Sequence, residues 1–240
     1  TVYHGIGLRH EFQGQLYYLD NNNGINYGLP WIRPTTASTS ADNTIIPGLK
    51  PDAYYGVNSD YNQGRARIGT VGHVFRMDAV TELKTRLRIG QYERDLRGST
   101  VRFAANQGAA ATLEGFNNNT VFTRGNQLKV QDLDTVQLQS DFSTRFTAFG
   151  LQHQLLAGVE ASRDERTVYV ARTEAQGGVT VTKPTILAGS PFDGAAVPEG
   201  SRMLRRGNDF DARASGIYVQ DTVALTPAIK AIAGLRYDSL

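Results

Sequence analysis

The chain of 240 residues contains no cysteine. Thiolate metal sites, disulfide frameworks and cysteine nucleophiles are therefore excluded. It has no apolar run near the 18 residues that a transmembrane helix needs. It lacks an excess of either charge: 25 basic against 23 acidic residues leave a formal net charge of +2. That balance gives no bulk attraction for nucleic acid. Helical periodicity is almost missing. So are the common catalytic signatures: no H-E-x-x-H, C-x-x-C or G-x-S-x-G occurs. The stretch HGIGLRH offers Gly5 and Gly7 but no third glycine and no helix after it. NDFD (208–211) lacks the spacing and the glutamate of a calcium loop. The four histidines are His4, His10, His73 and His153. His4 and His10 are six residues apart, about 20 Å along an extended strand, which predicts that they cannot share a metal. These absences argue against an enzyme and against a resident metal or cofactor.

What is present is alternation. ELKTRLRIGQYERD (82–95) sets Leu83, Leu87 and Ile89 against Glu82, Lys84, Arg86 and Arg88. In an extended strand these are two opposite faces. Val136, Leu138, Phe142 and Phe146 repeat the pattern, as do Leu155, Ala157, Val159 and Ala161. Ile217, Val219, Val223 and Leu225 follow it with Asp221 as an exception, and so do Ile229, Ala231, Ala233, Leu235 and Tyr237. Residues 64–74 put Ala66, Ile68, Thr70 and Val74 on one parity and Arg65, Arg67 and His73 on the other. By pattern the strands run about 10 to 17 residues. Globular strands average about 5 or 6, while a tilted bilayer crossing takes about 9–11.

The connections alternate in length. Short turns fall near 78–80, 148–152 and 226–228, and long polar segments near 22–60, 98–128 and 168–212. In an up-and-down meander this sorts every long loop to one rim and every short turn to the other, the plan of an outer-membrane barrel. The expectation is an all-β, antiparallel up-and-down transmembrane barrel, present in part, with about seven or eight strands. Residues 1–240 read as one portion of a longer barrel domain. Two other readings share the alternation. A general porin needs only the polar interior. A soluble β-protein needs Leu83, Leu87, Val136 and Phe142 packed in a closed dry core.

Six segments carry a family resemblance: NYGLPWIRP (26–34), YYGVNSDYNQGRARIGT (54–70), LRIGQYERD (87–95), LLAGVEASRDE (155–165), GIYVQDTVAL (216–225) and IAGLRYD (232–238). In this order they resemble TonB-dependent siderophore receptors, most of all those that import iron bound to catecholates. The resemblance implies a large plugged outer-membrane barrel, of which this chain would form about a third. It further implies a ferric siderophore as the transported ligand, outer-membrane lipid around the wall, and the TonB complex as a partner reached through a plug absent from these residues. A receptor for heme or another large nutrient is the nearest alternative.

A ferric catecholate is an aromatic anion. Its site calls for Arg or Lys to meet charge and Tyr or Trp to stack. Candidates are Trp31, Arg33, Tyr55, Tyr92, Arg97, Arg102 and Arg205. The ladder Lys84, Arg86, Arg88 and Arg94 has two readings. It is either an electropositive path or a set of wall charges paired with carboxylates such as Glu82, Asp141 and Glu160. Trp31 could equally be an interfacial or loop-packing residue.

Overall fold

The computed structural model describes all residues from Thr1 to Leu240. The strands are β1 (Val2–His4), β2 (His10–Asn23), β3 (Tyr61–Arg76), β4 (Glu82–Phe103), β5 (Val121–Ala148), β6 (Leu151–Ala171), β7 (Ile186–Leu187), β8 (Leu204–Ala224) and β9 (Lys230–Ser239). They form one antiparallel sheet in the order β1-β2-β3-β4-β5-β6-β8-β9, and the short β7 pairs with the upper end of β5. β1 and β9 do not pair, so the meander is a barrel wall that stays open. The all-β, up-and-down expectation is met.

The register assigns the two faces. Phe75, Leu83, Phe142, Ala157, Val219 and Leu235 stand in one row across β3–β9. Val71, Leu87, Leu138 and Ala161 form another, followed by Ile89 and Val136. No second layer covers this apolar face. Val71, Ile89, Val136, Leu138 and Leu235 are all exposed, and only 25 of the 240 residues are buried. That removes the closed dry core of a soluble sandwich. Toward the long loops the same face turns charged, in the row Arg67, Gln91, Asp134, Glu165 and Asp211. The opposite face carries Gln13, Gly72, Arg86, Gln139 and Glu160 in one row, and Gln15, Thr70, Arg88, Gln137 and Ser162 in the next.

β3 is sorted against its own hydropathy. Ile68, Thr70 and Val74 lie on the polar face, opposite Gly90, Arg88 and Lys84. Val71, His73 and Phe75 lie on the apolar one.

The short connections are tight: Met77–Thr81, Phe149–Gly150 and Leu225–Ile229. Phe149 and Gly150 both take positive φ, 52° and 77°. This is the primed turn that matches strand twist in a two-residue hairpin. The long connections are shorter than the composition suggests. They run over 24–60, 104–120 and 172–203, because β4, β5, β6 and β8 continue into stretches read as loop, β5 reaching 28 residues. The one hydrophobic core sits among these connections. Tyr55, Val101, Phe122, Ile186 and Ala188 are enclosed there, with Leu29, Ile46, Phe103 and Phe116 around them.

Candidate functional site

The polar face of β2–β4 forms two adjoining hollows. One, about 440 Å³, is lined by Gln13, Gln15, Tyr17, Ile68, Thr70, Arg86 and Arg88. The other, about 350 Å³, shares Gln13 and Arg86 and adds Glu11, Lys84 and Asp141. A more apolar hollow of about 580 Å³ lies among Leu83, Phe142, Val159, Val219 and Leu235. It belongs to the uncovered apolar face and its lining is mostly apolar, with Ser140, Tyr218, Arg236 and Tyr237 the polar exceptions.

The charges of the β4 ladder are met unequally. Lys84 pairs with Glu82 at 2.7 Å. Arg94 donates to Asn62 at 3.4 Å. Arg88 donates to the Tyr92 hydroxyl at 3.3 Å. Arg86 and Arg88 make no ion pair. The carboxylates that could have quenched them are engaged elsewhere. Asp141 accepts from Gln139 and Tyr218. Glu160 accepts from Arg236. The hollow therefore presents two guanidinium groups beside amide, hydroxyl and phenol groups.

Tyr92 shares this face with the ladder, and Gly90 makes room for it. A Cβ at position 90 would come within 2.8 Å of both the Tyr92 ring and the Thr135 hydroxyl. Arg102, opposite Thr123, continues the same parity and is exposed. Arg86 and Arg102 are 16 residues apart on one strand, about 54 Å at strand rise.

The remaining candidates divide by surroundings. Trp31 stays exposed beside the fully buried Ile32, which pairs with Thr44. Arg33 is exposed, and its carbonyl accepts from the Leu113 amide at 2.9 Å, joining the first long loop to the second. Arg205 is exposed and donates to the Gln176 side chain at 3.1 Å. Tyr55 is enclosed: its ring meets Phe122 edge-on and its hydroxyl donates to the Ala188 carbonyl at 2.6 Å. Arg97 is enclosed as well, held by Asp95 at 3.0 Å and by the Glu199 carbonyl. Both are committed to anchoring the loops.

That anchoring rests on buried charges which reading along the chain does not single out. The Lys183 ammonium is fully enclosed and spends its three donors on Asp60 (2.7 Å), the Gly98 carbonyl (2.8 Å) and Ser99 (3.1 Å). Glu199 lies 3.3 Å from Lys183 and 2.9 Å from Arg202. Arg124, also enclosed, donates to the Tyr55 carbonyl at 2.8 Å and meets Asp193 at 2.7 Å. Burial pushes the Tyr54 phenol far above its ordinary pKa, and the nearby Asp60 carboxylate adds to the shift. The partners are drawn from the first long connection (Asp60), the last (Lys183, Asp193, Glu199, Arg202) and the strands β4 and β5 (Gly98, Ser99, Arg124), so no local pattern marks the group. Gln13 and Gln15 were legible in principle, because HEFQGQLY alternates with Phe12 and Leu16.

A family model for the TonB-dependent receptor-like β-barrel matches residues 3–240. The chain belongs to this family. Its solved relatives include the ferric-catecholate import receptor Fiu of E. coli K12 in its open form, 17% identical with a TM-score of 0.78. The match covers 98% of this chain and 35% of Fiu. The siderophore receptor PiuA of Acinetobacter baumannii is 15% identical with a TM-score of 0.75, over 98% of this chain and 34% of that one. BauA, the ferric preacinetobactin receptor of the same species, is 12% identical at 0.69, over 97% and 31%. At these identities the structural likeness speaks for the fold. No curated protein sequence matches. The chain spans about a third of the length of the solved structures it resembles. Family membership sets aside the general porin.

Proposed function

We propose that the chain is the barrel portion of an outer-membrane, TonB-dependent receptor that imports ferric siderophores of the catecholate type. The observation that carries this reading is the pair of guanidinium groups at Arg86 and Arg88. They face a polar hollow, have no carboxylate partner and lie beside Tyr17 and Tyr92. An anionic, aromatic chelate matches that chemistry through charge-assisted hydrogen bonds and ring stacking. The apolar face of Leu87, Ile89 and Val136 meets lipid, and the polar face lines the lumen. Residues 1–240 form one part of a single barrel domain, with the plug and remaining strands supplied by the rest of the receptor.

Two levels share the work. At the mouth, Trp31, Arg33, Arg102 and Arg205 capture the chelate. Down the wall, Tyr92, Arg88 and Arg86 receive it once the plug, driven through TonB, opens a path. No bond is made or broken, and the only co-reactant is the energy relayed to the plug. Related nutrient anions such as heme would use the same arginines.

The test is growth under iron limitation of cells carrying this receptor as their sole outer-membrane iron importer, fed a panel of ferric chelates. Rescue by ferric catecholates, lost on deletion of the receptor, is expected. Rescue by heme alone, or by no iron source, sinks the reading.

A further inference from the structure

A hollow of about 800 Å³ lies where the last long connection folds against the upper ends of β5 and β6. It shares no residue with the two hollows beside Arg86 and Arg88, and its size is that of a small-molecule site. β5 and β6 stand mid-wall with both neighbours present, so strands added at the borders leave it open. One side is a hook, residues 172–178. The Arg172 amide donates to the Met203 carbonyl at 2.8 Å, and the Gly178 amide returns to the Thr173 carbonyl at 2.9 Å. Gly177 reverses the chain at φ 74°, and a Cβ at position 178 would strike the Arg172 carbonyl. On the other side Asn126 is held twice: it donates to the Val181 carbonyl at 2.5 Å and accepts from Arg202 at 2.8 Å. The sheet's one register shift also falls here, between Val168 and Tyr169, and leaves Gly207 of β8 unmatched. Such bulges recur beside binding sites, where they re-aim a side chain. The Tyr169 hydroxyl donates to Asp132 at 2.9 Å, which steadies the ring at the edge of the hollow.

We propose that this hollow binds a neutral oligosaccharide, at a site separate from the siderophore path. Its positive charges are already engaged. Arg202 is buried and meets Glu199 at 2.9 Å. Arg172 donates to the Leu204 carbonyl at 3.3 Å and to the Gln176 carbonyl at 3.5 Å. The charge left open is the exposed Glu174 carboxylate, which repels an anion. A wholly apolar ligand fits no better. It would cover the Gln127 amide and the Thr180 hydroxyl, neither of which has a side-chain partner in the protein, and take their water away. A sugar meets this mixture. Its hydroxyls both donate and accept, so one kind of group answers amide, hydroxyl and carboxylate alike. Its C–H faces rest on the Tyr169 ring and on Leu128 and Val179. The hook and Asn126 are fixed by their own hydrogen bonds, so the site needs little ordering when the sugar arrives.

The experiment uses the full-length receptor in detergent. It is screened on an array of immobilised neutral and acidic oligosaccharides, and the binders are titrated as free sugars by saturation-transfer NMR. Saturable binding of a neutral oligosaccharide below about 1 mM is expected. Gln127→Leu and Thr180→Val keep the volume and remove one hydrogen-bonding group each. Each is expected to weaken binding at least about threefold, and the double variant about tenfold. Thr180→Ser restores the hydroxyl and should restore binding. Thr147→Val, at the rim of the short turns, should change nothing. Mass spectrometry of the purified receptor distinguishes the sources. A glycolipid of the producing membrane that stays with the parent receptor and is lost from the double variant places the sugar on the cell's own surface. Binding of free oligosaccharide alone places it in the medium, and either result upholds the site. Preference for acidic glycans, no sugar in either arm, or unchanged binding in both single variants overturns it. Heat-modifiable migration on gels confirms that each variant is folded before it is scored.

Discussion

At the scale of single residues, charge without a partner separates function from scaffold. Arg86 and Arg88 lie well below the mouth, so their expected effect is on passage more than on capture. Replacing both with glutamine removes two charge-assisted donors, each worth about 1.5–3 kcal/mol. Uptake of an anionic ferric chelate is expected to fall by at least about tenfold. Binding to whole cells at low temperature should change little, whereas Trp31→Ala with Arg102→Gln should reverse the two effects. Equal loss of binding and uptake in the wall variant would remove its distinct role. Phe149 makes a different case. It is a bulky residue at φ 52° in a two-residue turn, fully exposed, with no contact to repay the conformation. Phe149→Asn places a residue suited to that conformation and is expected to stabilise the hairpin by about 0.5–1 kcal/mol. The midpoint of urea unfolding in detergent checks it. Tyr55 and Arg97 show where residue type misleads. Aromatic and basic side chains suit a ligand site and suit loop anchoring equally, and only their burial between loops tells the two apart.

At the scale of elements, the β4–β5 hairpin and the connections that fold onto it are latched by buried charge. Lys183 from the last long loop holds Asp60 from the first and the β4 backbone at Gly98. Lys183→Met keeps most of the volume but strands Asp60 without its cation and leaves Glu199 with Arg202 alone, a loss of about 3–5 kcal/mol. Hydrogen exchange should then quicken across 172–203 while the strands of the apolar band stay protected. Uniform protection would show that the latch is unimportant. A second latch responds to pH. Burial pushes the Asp193 carboxyl up, but Arg124 and the Ala195 amide hold it below its ordinary value. A depressed carboxylate stabilises fully above its unfolded pKa of about 3.9. That contribution is lost as pH falls through the lower folded value. Contact between 193–197 and Tyr54–Val57 is thus expected to persist at pH 5 and loosen only well below 4, and Asp193→Asn should abolish this dependence. The same elements mark how far the sequence could be read. β5, β6, β8 and β9 were legible wherever one face is apolar, since that contrast is what alternation records. It fails in stretches such as RGSTVRF (97–103) and LRRGNDFD (204–211), where the strands rise past the apolar band and neither face is consistently apolar. β3 was sorted by backbone pairing with β2 and β4, which no pattern within β3 reveals.

At the scale of the whole molecule, the decisive feature is the unpaired pair of edges. β1 presents three residues along one border and β9 ten along the other, and they do not meet. In water such edges recruit further strands. In lipid every backbone amide and carbonyl must be paired, so an open wall cannot stand alone. The Leu87–Val136 face adds a second liability, because it has no protein layer to cover it. Residues 1–240 expressed alone are therefore expected to fail as a monomer. Refolded into detergent micelles, they should give polydisperse oligomers by light scattering, with strand-rich circular dichroism but no sharp thermal transition. On the proposed reading, co-refolding with the remainder of such a receptor should restore a single species, because further strands would pair both borders. A clean, cooperatively melting monomer from these residues alone would mean that β1 and β9 can close on each other. The wall would then be a small complete barrel, too narrow for a plug, and the siderophore reading would fall with it.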